Sequence, residues 1–508
     1  MADEYTNTTE NAGIATGLYG RLPIWTSVER FDPSRPGELL AEINEALTIH
    51  GMNLLAMDYL YWYRRGITPV LGREKDIRPE INNKINVGFA DEICTFKDGY
   101  FMTKPSFYVA RDEGKGIADD VKTLNDFLYR SGKHKADNKV VDWFHTVGKG
   151  NLFIRANDDP KKPFTVDALD PRSVFIARSL MPGGRVAYGG YTVKRGDELM
   201  LSIWDDTNVY TLSGTKTGQF ATPEKEFSYT ATAVVDVQPN PLGAVPIVEY
   251  YYNSVMMSAF EAALPLIDAS SYLQSDRLDA VDQAVQSLLV FYNCELEDEE
   301  TGETQTPEMI RKAGAVFLKS VGENRADLKE IVTNLDQTQT QVFIDNLREQ
   351  ILAISAMPLT SVNKGYSNAA SGQAQLARDG WFQADTAARN CEDLFLESNE
   401  QFDEIMLKIL RDKGILDIDP ADIKLQIPRN ETANIQSKAQ AFQTMVASGL
   451  EWTIAAAKSG ISNDPVADMK MSEPYLKMIW GDPLNPKDKG EAEVVEETAP
   501  ASSTGGDV

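Results

Sequence analysis

The chain has 508 residues, of which 42% are hydrophobic, and it carries a formal net charge of −26 at pH 7. This length and apolar content suffice for about two to four domains with buried cores, which excludes a wholly disordered or fibrous chain. The acidic excess disfavours tight binding of nucleic acid, because proteins hold phosphates mainly through Lys and Arg. Acidic walls can still surround a duplex and let it slide.

The sequence contains no targeting segment, and its few cysteines are not spaced as in a disulfide or metal framework. No apolar run reaches the roughly 18 residues of a transmembrane helix, and residues 1–20 are polar and acidic, unlike a secretion signal. Cys94, Cys294 and Cys391 are odd in number and far apart. They indicate a reducing compartment and no metal framework.

The first 250 residues predict a helical region followed by a β-rich one. Residues 1–15 are polar and expected to be disordered, and Leu22–Val28 is a candidate strand. Apolar residues at three- and four-residue steps predict four helices, Glu38–Trp62, Pro79–Thr95, Asp119–Ser131 and Lys139–Val147. From Gly148 to Tyr250, short β-rich runs separated by Gly, Pro, Asp and Asn predict antiparallel sheet.

An aromatic run, Met57–Gly66, contains Tyr59, Tyr61, Trp62 and Tyr63 and ends in two arginines. Such a run can form a stacking platform for single-stranded nucleic acid. The aromatic residues are not interspersed with basic ones, however, and this favours packing in a domain core or a subunit contact.

The stretch Ala259–Met357 predicts two long helices joined by a small excursion. Ala259–Leu288 carries apolar or small residues at alternating four- and three-residue steps, with Gln274 in the one polar slot, so one stripe of this helix needs a packing partner. Its opposite face is polar and includes Asp268, Asp276 and Asp279. Asp336–Ala356 repeats the pattern. The pattern alone favours packing of the two helices in an ordinary α domain.

Short elements and a long helix complete the chain. The predicted strands of the excursion are Leu288–Asn293, Ala315–Lys319 and Asp327–Val332, with a short helix at Pro307–Ala313. Pro358–Ala370 is longer than a usual helix connection, as functional loops often are. The further predictions are a helix at Ser371–Asp412 with Phe382 among its apolar contacts, a strand at Ile423–Ile427, helices at Asn434–Ser448, Trp452–Ser459 and Asp464–Met469, and a disordered tail from Asp482.

Motifs of enzymes and cofactor sites are missing from the sequence. His50, His134 and His145 have no metal-like or triad-like partners nearby in the chain, and core or surface roles are favoured. Gly114-Lys115-Gly116 and Gly148-Lys149-Gly150 are too short for a phosphate loop. No kinase, hydrolase-elbow or dinucleotide motif occurs. We therefore expect no cofactor, no metal and no catalytic residue.

Several segments recur in a fixed order along the chain: Pro246–Asn253, Leu264–Ala269, Ser275-Asp276, the acidic excursion, Met357-Pro358 and Ser371–Ala374. In this order and spacing the chain resembles the portal proteins of tailed siphophages, of the SPP1 type, over roughly residues 19–480. The resemblance implies an α+β, mainly helical portal fold with wing, stem, clip and crown, which assembles as a ring, usually of twelve subunits, with a central channel.

The resemblance also implies a division of the chain. The expected segments are a disordered amino terminus (1–18), a wing (19–258), a first stem helix (259–287), a clip (288–335), a second stem helix (336–357), a tunnel loop (358–370), a long wing helix and strand (371–429), a crown (430–481) and a disordered acidic tail (482–508).

Site residues follow from this division. The tunnel loop presents Asn363, Lys364, Tyr366 and Asn368 to DNA, with Lys364 its only cation. The stem candidates for the channel lining are Asp276, Asp345 and Glu349, although the sequence leaves open whether they line the channel or face outward. The clip candidates for partner binding are Glu297, Asp298, Glu299 and Glu300.

The expected partners are those of a portal at one vertex of a virion. They are copies of the chain in a dodecamer, double-stranded DNA, the large terminase, a head-completion adaptor, and scaffolding and major capsid proteins, with no membrane and with assembly in the host cytoplasm. The terminase, not the portal, supplies ATP hydrolysis. The alternatives are another nonenzymatic capsid or adaptor component, or an α+β enzyme with an unrecognised site.

Overall fold

The structure is a computed structural model. It describes residues 20–76, 78–102, 104–111, 117–195, 198–217, 228–285, 288–292, 294–295, 319–320, 327–331, 338–358, 380–428, 435–462 and 465–480. The chain divides into two compact units, residues 1–101 with 127–417 and residues 102–126 with 418–508.

Both α-helices and β-strands occur throughout the described part. The helices are α1 (Pro36–Arg64), α2 (Phe89–Phe101), α3 (Ala118–Ser131), α4 (Lys133–Val147), α5 (Leu264–Val285), α6 (Thr338–Ile354), α7 (Trp381–Asp412), α8 (Ile435–Ala447), α9 (Trp452–Ser459) and α10 (Pro465–Trp480). The strands are β1 (Ile24–Thr26), β2 (Phe107–Ala110), β3 (Lys149–Ala156), β4 (Phe164–Leu169), β5 (Val174–Ser179), β6 (Val186–Arg195), β7 (Glu198–Trp204), β8 (Asn208–Thr217), β9 (Ser228–Pro239), β10 (Ile247–Tyr251), β11 (Leu288–Tyr292), β12 (Cys294–Glu295), β13 (Lys319–Ser320), β14 (Asp327–Ile331) and β15 (Ile423–Gln426).

A six-stranded sheet under helix α1 forms the centre of the first unit. Its order is β1-β5-β6-β7-β8-β9, and all pairs are antiparallel except β1 with β5. Leu39, Ile43 and Leu47 of α1 share one core cluster with Leu201 and Leu212 of the sheet. The side chain of Asn44 also bonds both backbone groups of Ala231 on β9, at 2.8 and 3.1 Å. Because the Asn44 side-chain amide satisfies backbone groups on the edge of β9, it fixes α1 across the sheet.

The aromatic run near the end of α1 packs inside the protein. Tyr61 stacks on Trp143 of α4 with ring centroids 5.5 Å apart, and the Arg172 guanidinium lies 3.9 Å from the Tyr61 centroid. Tyr63 is buried against Phe260. The prediction of core packing is therefore confirmed, and the alternative of a stacking platform for single strands is wrong for these side chains.

The long helix α7 lies against a three-stranded antiparallel sheet, β10-β3-β4. Phe395 packs on Tyr250 with ring centroids 4.5 Å apart, and the Tyr250 hydroxyl donates to Asn399 at 3.0 Å.

A glycine is required where α4 ends before β3, because Gly148 has φ of 94° and a Cβ there would lie 1.8 Å from the carbonyl oxygen of Met256.

The second unit contains a small helical cluster and a strand pair. Phe442 of α8 packs with Ala455 and Ala456 of α9. β15 pairs antiparallel with β2. The side chain of Asn125 bonds both backbone groups of Tyr108 on β2, at 2.8 and 2.9 Å.

Most predicted elements are present. The predicted helix Trp452–Ser459 is observed with the same bounds, and the helix predicted at Lys139–Val147 begins earlier, at Lys133. The helices predicted at Glu38–Trp62 and Asp119–Ser131 and the strand predicted at Ile423–Ile427 differ from the observed bounds by one or two residues. His50 and His145 are buried core residues. Burial lowers the pKa of His50 to about 3, so the ring is neutral and Nε2 donates to the carbonyl of Arg172, 3.1 Å away.

Four predictions about the elements are wrong in part. The helix predicted at Pro79–Thr95 begins only at Phe89. The first long helix starts at Leu264, after a 3₁₀ turn at Glu261–Ala263, and ends at Val285. Phe382 is exposed on α7, and the last helix extends beyond Met469 to Trp480. The predicted helix Pro307–Ala313, most of the strand Ala315–Lys319, residues 371–379 and the tail from Asp482 lie outside the described residues.

We expect Lys133→Met to destabilise the first unit by about 3 kcal/mol. The Lys133 ammonium is buried 2.6 Å from Asp137, and its replacement leaves that buried carboxylate without its cation. Arg35→Met is the matched control, because Arg35 pairs with Glu38 at an exposed site and its loss should cost under about 0.5 kcal/mol. Chemical unfolding measures both, and equal losses would contradict the prediction.

Candidate functional site

Helices α5 and α6 form a pair whose base lies in the main core. Phe260, just before α5, and Leu264 and Ile267 in its first turn share the core cluster with Ile351 and Leu352 of α6. All five side chains are buried. Phe260, Leu264 and Ile267 belong to the predicted stripe of the first helix and Ile351 to that of the second, so both stripes reach the main core here. Ile354, one step further along the second predicted stripe, is instead 51% exposed.

Towards the other end, apolar side chains of the same pair remain uncovered. Leu278 and Val281 continue the α5 stripe but are 39% and 36% exposed. On α6, Val342 and Phe343 are 66% and 55% exposed. Large apolar residues at neighbouring exposed positions mark surfaces that bind other macromolecules.

The excursion between α5 and α6 contains two short strand pairs. β11 pairs antiparallel with β14, with Leu288 opposite Ile331 and Tyr292 opposite Asp327. β12 pairs with β13, with Glu295 opposite Lys319. The strands that leave α5 and return to α6 are therefore hydrogen-bonded to each other, which the sequence did not predict.

A segment of the chain that precedes α2, residues 69–86, is bonded along one side of α5; we call it the strap. Arg73 pairs with Asp276, and Lys75 pairs with Asp279. The backbone N–H and side-chain amide of Asn83 donate to Asp279 at 2.8 and 2.9 Å. These bonds hold Asn83 in a non-helical conformation and explain why no helix forms from Pro79.

Asp279 is the centre of this contact. Its side chain is only 2% exposed, and Arg73 lies 3.3 Å away in addition to the bonds from Lys75 and Asn83. Burial opposes ionisation of Asp279, but the bonds from Lys75 and Asn83 outweigh it and hold its pKa below the ordinary value. The carboxylate is therefore charged and fully engaged at neutral pH.

Asp268, about one turn from the start of α5, is buried in a different setting. Its Oδ1 accepts a 2.7 Å hydrogen bond from the Tyr63 hydroxyl, and its buried Oδ2 accepts none from the residues that the structure describes. Burial raises the pKa of Asp268, although the bond from Tyr63 acts against this. Asp268 and Asp279 thus do not belong to a solvent-facing polar face, and that part of the sequence interpretation is wrong.

The predicted stem candidates occupy two sides of the pair. Asp276 is exposed and faces the strap through Arg73. Asp345 is exposed and accepts a 2.8 Å bond from Gln341, which in turn accepts a 2.6 Å bond from Arg277 of α5. Glu349, one turn beyond Asp345, is also exposed. The structure therefore brings Asp345 and Glu349 onto one face and separates Asp276 from them.

The other predicted site residues are not described. Asn363, Lys364, Tyr366 and Asn368 of the loop lie outside the described residues. The same is true of Glu297, Asp298, Glu299 and Glu300 of the excursion. Their assigned roles stay predictions.

The comparison with known families decides what this arrangement belongs to. A sequence profile described as phage portal protein, SPP1 Gp6-like, matches residues 47–470. The chain belongs to this family of phage portal proteins. The predicted resemblance is thereby confirmed, and the chain has a phage portal function.

Solved structures that resemble this portal protein come from gene transfer agent particles. A particle neck computed with C12 symmetry has 12% identity and a TM-score of 0.39, and covers 74% of this chain and 90% of its own. A native virion of the agent has 12% identity and a TM-score of 0.41, and covers 75% and 91%. No individually curated protein matches the chain.

The family is structural and nonenzymatic. Among the described residues, no group of three or more His, Cys, Asp and Glu is placed to hold a metal ion. None of the helices in the described ranges has the length and apolarity needed to cross a bilayer.

Sequence reasoning missed the strap. The sequence does show the α5 side of this contact, because Asp276, Asp279 and Asp282 recur every three residues on α5. Their cationic partners, Arg73 and Lys75, are about 200 residues away, and no local pattern connects the two.

We expect Asp279→Ala to release the strap and to destabilise the portal protein by about 2–3 kcal/mol, because Lys75 and Asn83 lose a buried acceptor. Trypsin should then cleave after Arg73, Lys75 and Lys84 faster than in the parent. Since the folded pKa of Asp279 is depressed, its contribution is complete above the unfolded pKa of about 3.9 and is lost as the pH falls through the folded value.

Asp282→Ala is the matched control for this change. Asp282 accepts only one described hydrogen bond from the strap, that of Asn83 at 2.7 Å. Its loss should therefore cost less than half as much. Unchanged trypsin cleavage in Asp279→Ala would show that Asp279 does not hold the strap.

Proposed function

We propose that this portal protein assembles side by side with copies of itself into a ring of about twelve subunits, whose central channel passes double-stranded DNA into and out of the capsid. In this proposal α5 and α6 are the stem, residues 288–335 are the clip, and residues 358–370 are the tunnel loop. The uncovered apolar side chains of the stem carry the proposal.

Lateral contact between stems accounts for those side chains. Leu278, Val281, Val342 and Phe343 lie on a helix pair that is buried at its base but uncovered above it. A repeated contact between two different faces of the same chain closes into a ring when the rotation between subunits permits it. Each stem then covers the apolar positions of its neighbour.

Acidity suits a channel for DNA. Each subunit carries a formal charge of −26, and a ring of such chains repels a duplex from its walls. Tight binding of phosphates would stop translocation, and it requires clusters of Lys and Arg. Asp345 and Glu349, exposed on one face of α6, are the stem residues that we assign to the channel side.

The clip provides the docking site for the packaging and tail machinery. Its strands β11 and β14, next to α5 and α6 along the chain, pair with each other. We assign the acidic residues Glu297–Glu300, which lie between these two strands in the sequence, to the large terminase during packaging and to a head-completion adaptor afterwards, with scaffolding and major capsid proteins as partners during assembly at the portal vertex.

Phe343→Asp tests the ring. Because Phe343 is exposed in the single chain, we expect its replacement to change unfolding free energy by under about 0.5 kcal/mol but to abolish rings, since each stem contact would bury an unpaired carboxylate. Phe343→Leu should keep the rings, as should Val235→Asp on β9. Native mass spectrometry of the purified protein and electron microscopy of the protein and of heads show whether rings form. Intact rings of Phe343→Asp would contradict the proposal, as would a parent chain that is a monomer even in heads.

Lys364→Glu tests the tunnel loop. As the loop's only cation, Lys364 is proposed to make a weak, transient phosphate contact. One exposed charge contact is worth about 0.5–1 kcal/mol, so the packaging rate should fall roughly two- to fivefold. Lys364→Arg keeps the charge and should package at the parent rate. An unchanged rate for Lys364→Glu in a packaging assay would remove this role.

A further inference from the structure

A cavity in the first unit has no role in the stem or in the proposed channel. Its volume is about 490 Å³, within the range of sites that hold a ligand or a short peptide segment. It lies beside strand β1 and the residues after β10, and Arg21, Lys149, Arg178, Glu249, Trp25 and Val255 are among its lining residues.

The polar wall of the cavity carries more positive than negative charge. Lys149 and Arg178 share one carboxylate, Glu249, at 3.0 and 3.6 Å. Arg21 is neutralised separately by Glu261, 2.6 Å away. Burial opposes ionisation of Glu249, but Lys149 and Arg178 outweigh it and lower its pKa, so the group is charged. These five residues leave one net positive charge in a chain of strongly negative charge.

The lip of the cavity is apolar and exposed. Leu22, Trp25 and Val255 are 48%, 50% and 52% exposed, and all three line the cavity. Leu180 and Met181, which follow β5, are exposed as well, and the N–H of Leu180 donates to Thr26 of β1 at 3.0 Å. A cationic wall with an apolar lip fits a peptide segment that combines carboxylates with apolar side chains.

The chain itself supplies a segment of that chemistry at the edge of the cavity. Residues 1–19 contain Asp3, Glu4 and Glu10, no Lys or Arg, and the apolar residues Ile14 and Leu18. They join the described chain at Gly20, one residue before Arg21 of the wall. Gly20 has φ of 72°, and a Cβ there would lie 1.9 Å from the carbonyl oxygen of Val255, so the junction is fixed against the lip.

The length of residues 1–19 and their effective concentration near the cavity both favour this segment as its occupant. Nineteen residues extend up to about 65 Å, far more than the cavity requires. A segment tethered at the edge of its site has an effective concentration in the millimolar range, so weak contacts suffice to hold it. We propose that residues 1–19 dock into this cavity of the same chain, with their carboxylates towards Lys149 and Arg178 and their apolar side chains on the lip.

Photocrosslinking in the full-length protein tests this proposal, independently of ring formation. Ser254 is exposed and lines the cavity, so p-benzoylphenylalanine in place of Ser254 places the probe there. Trypsin releases residues 1–21 as one peptide, because Arg21 is the first basic residue. We expect this peptide to be joined to the peptide that contains position 254, with the new bond at residues 3–14, in a species of one-chain mass.

Two controls make the result specific. The same probe at Val235, exposed on β9, should give no such product, and a probe at Trp25 should repeat the result from another part of the lip. The triple change D3N/E4Q/E10Q should lower the yield at least roughly fivefold, whereas N7Q/N11Q should not. Bonds to other peptides, bonds only at residues 16–19, a two-chain product, no product, or an unchanged yield in the triple variant would overturn the proposal.

Discussion

The apolar contact at the base of α5 and α6 is the constraint on which the rest of the molecule depends. Phe260, Leu264 and Ile267 meet Ile351 and Leu352 inside the same core that joins α1 to the six-stranded sheet. Ile344 and Leu347 further along α6 are buried as well, whereas Leu278, Val281, Val342 and Phe343 stay exposed in the single chain. In the proposed ring, neighbouring copies would cover these four side chains.

Electrostatic contacts fix the same helix pair from the side. The chain has 76 acidic and 50 basic residues, so carboxylates outnumber the cations that can pair with them. Arg73 and Lys75 form ion pairs with Asp279 of α5, and Arg348 of α6 forms one with Glu92 of α2 at 3.0 Å. The buried Asp279 contact is worth more than the half-exposed Arg348 pair, because water screens the latter. The strap thus fixes one side of α5 to the segment that precedes α2.

The cavity next to β1 shows the opposite balance. Lys149 and Arg178 face one carboxylate, and the resulting positive wall stands out against the acidity of the chain as a whole. A segment docked there would fix the start of the chain on the first unit, whose core also holds the base of α5 and α6.

The sequence by itself determined the family, the helical and β-rich regions, and the apolar stripe at the base of α5, because these depend on local periodicity and on the order of segments along the chain. It also pointed to core packing for Tyr61 and Tyr63 through the separation of aromatic from basic residues. Only the tertiary structure decided that residues 79–88 are not helical, that Asp268 and Asp279 are buried, and that Phe382 is exposed. The first two outcomes depend on partners about 200 residues away in the chain, and the third depends on which face of a helix meets the core. A local pattern of polar and apolar residues encodes neither the distant partners nor the face that is buried.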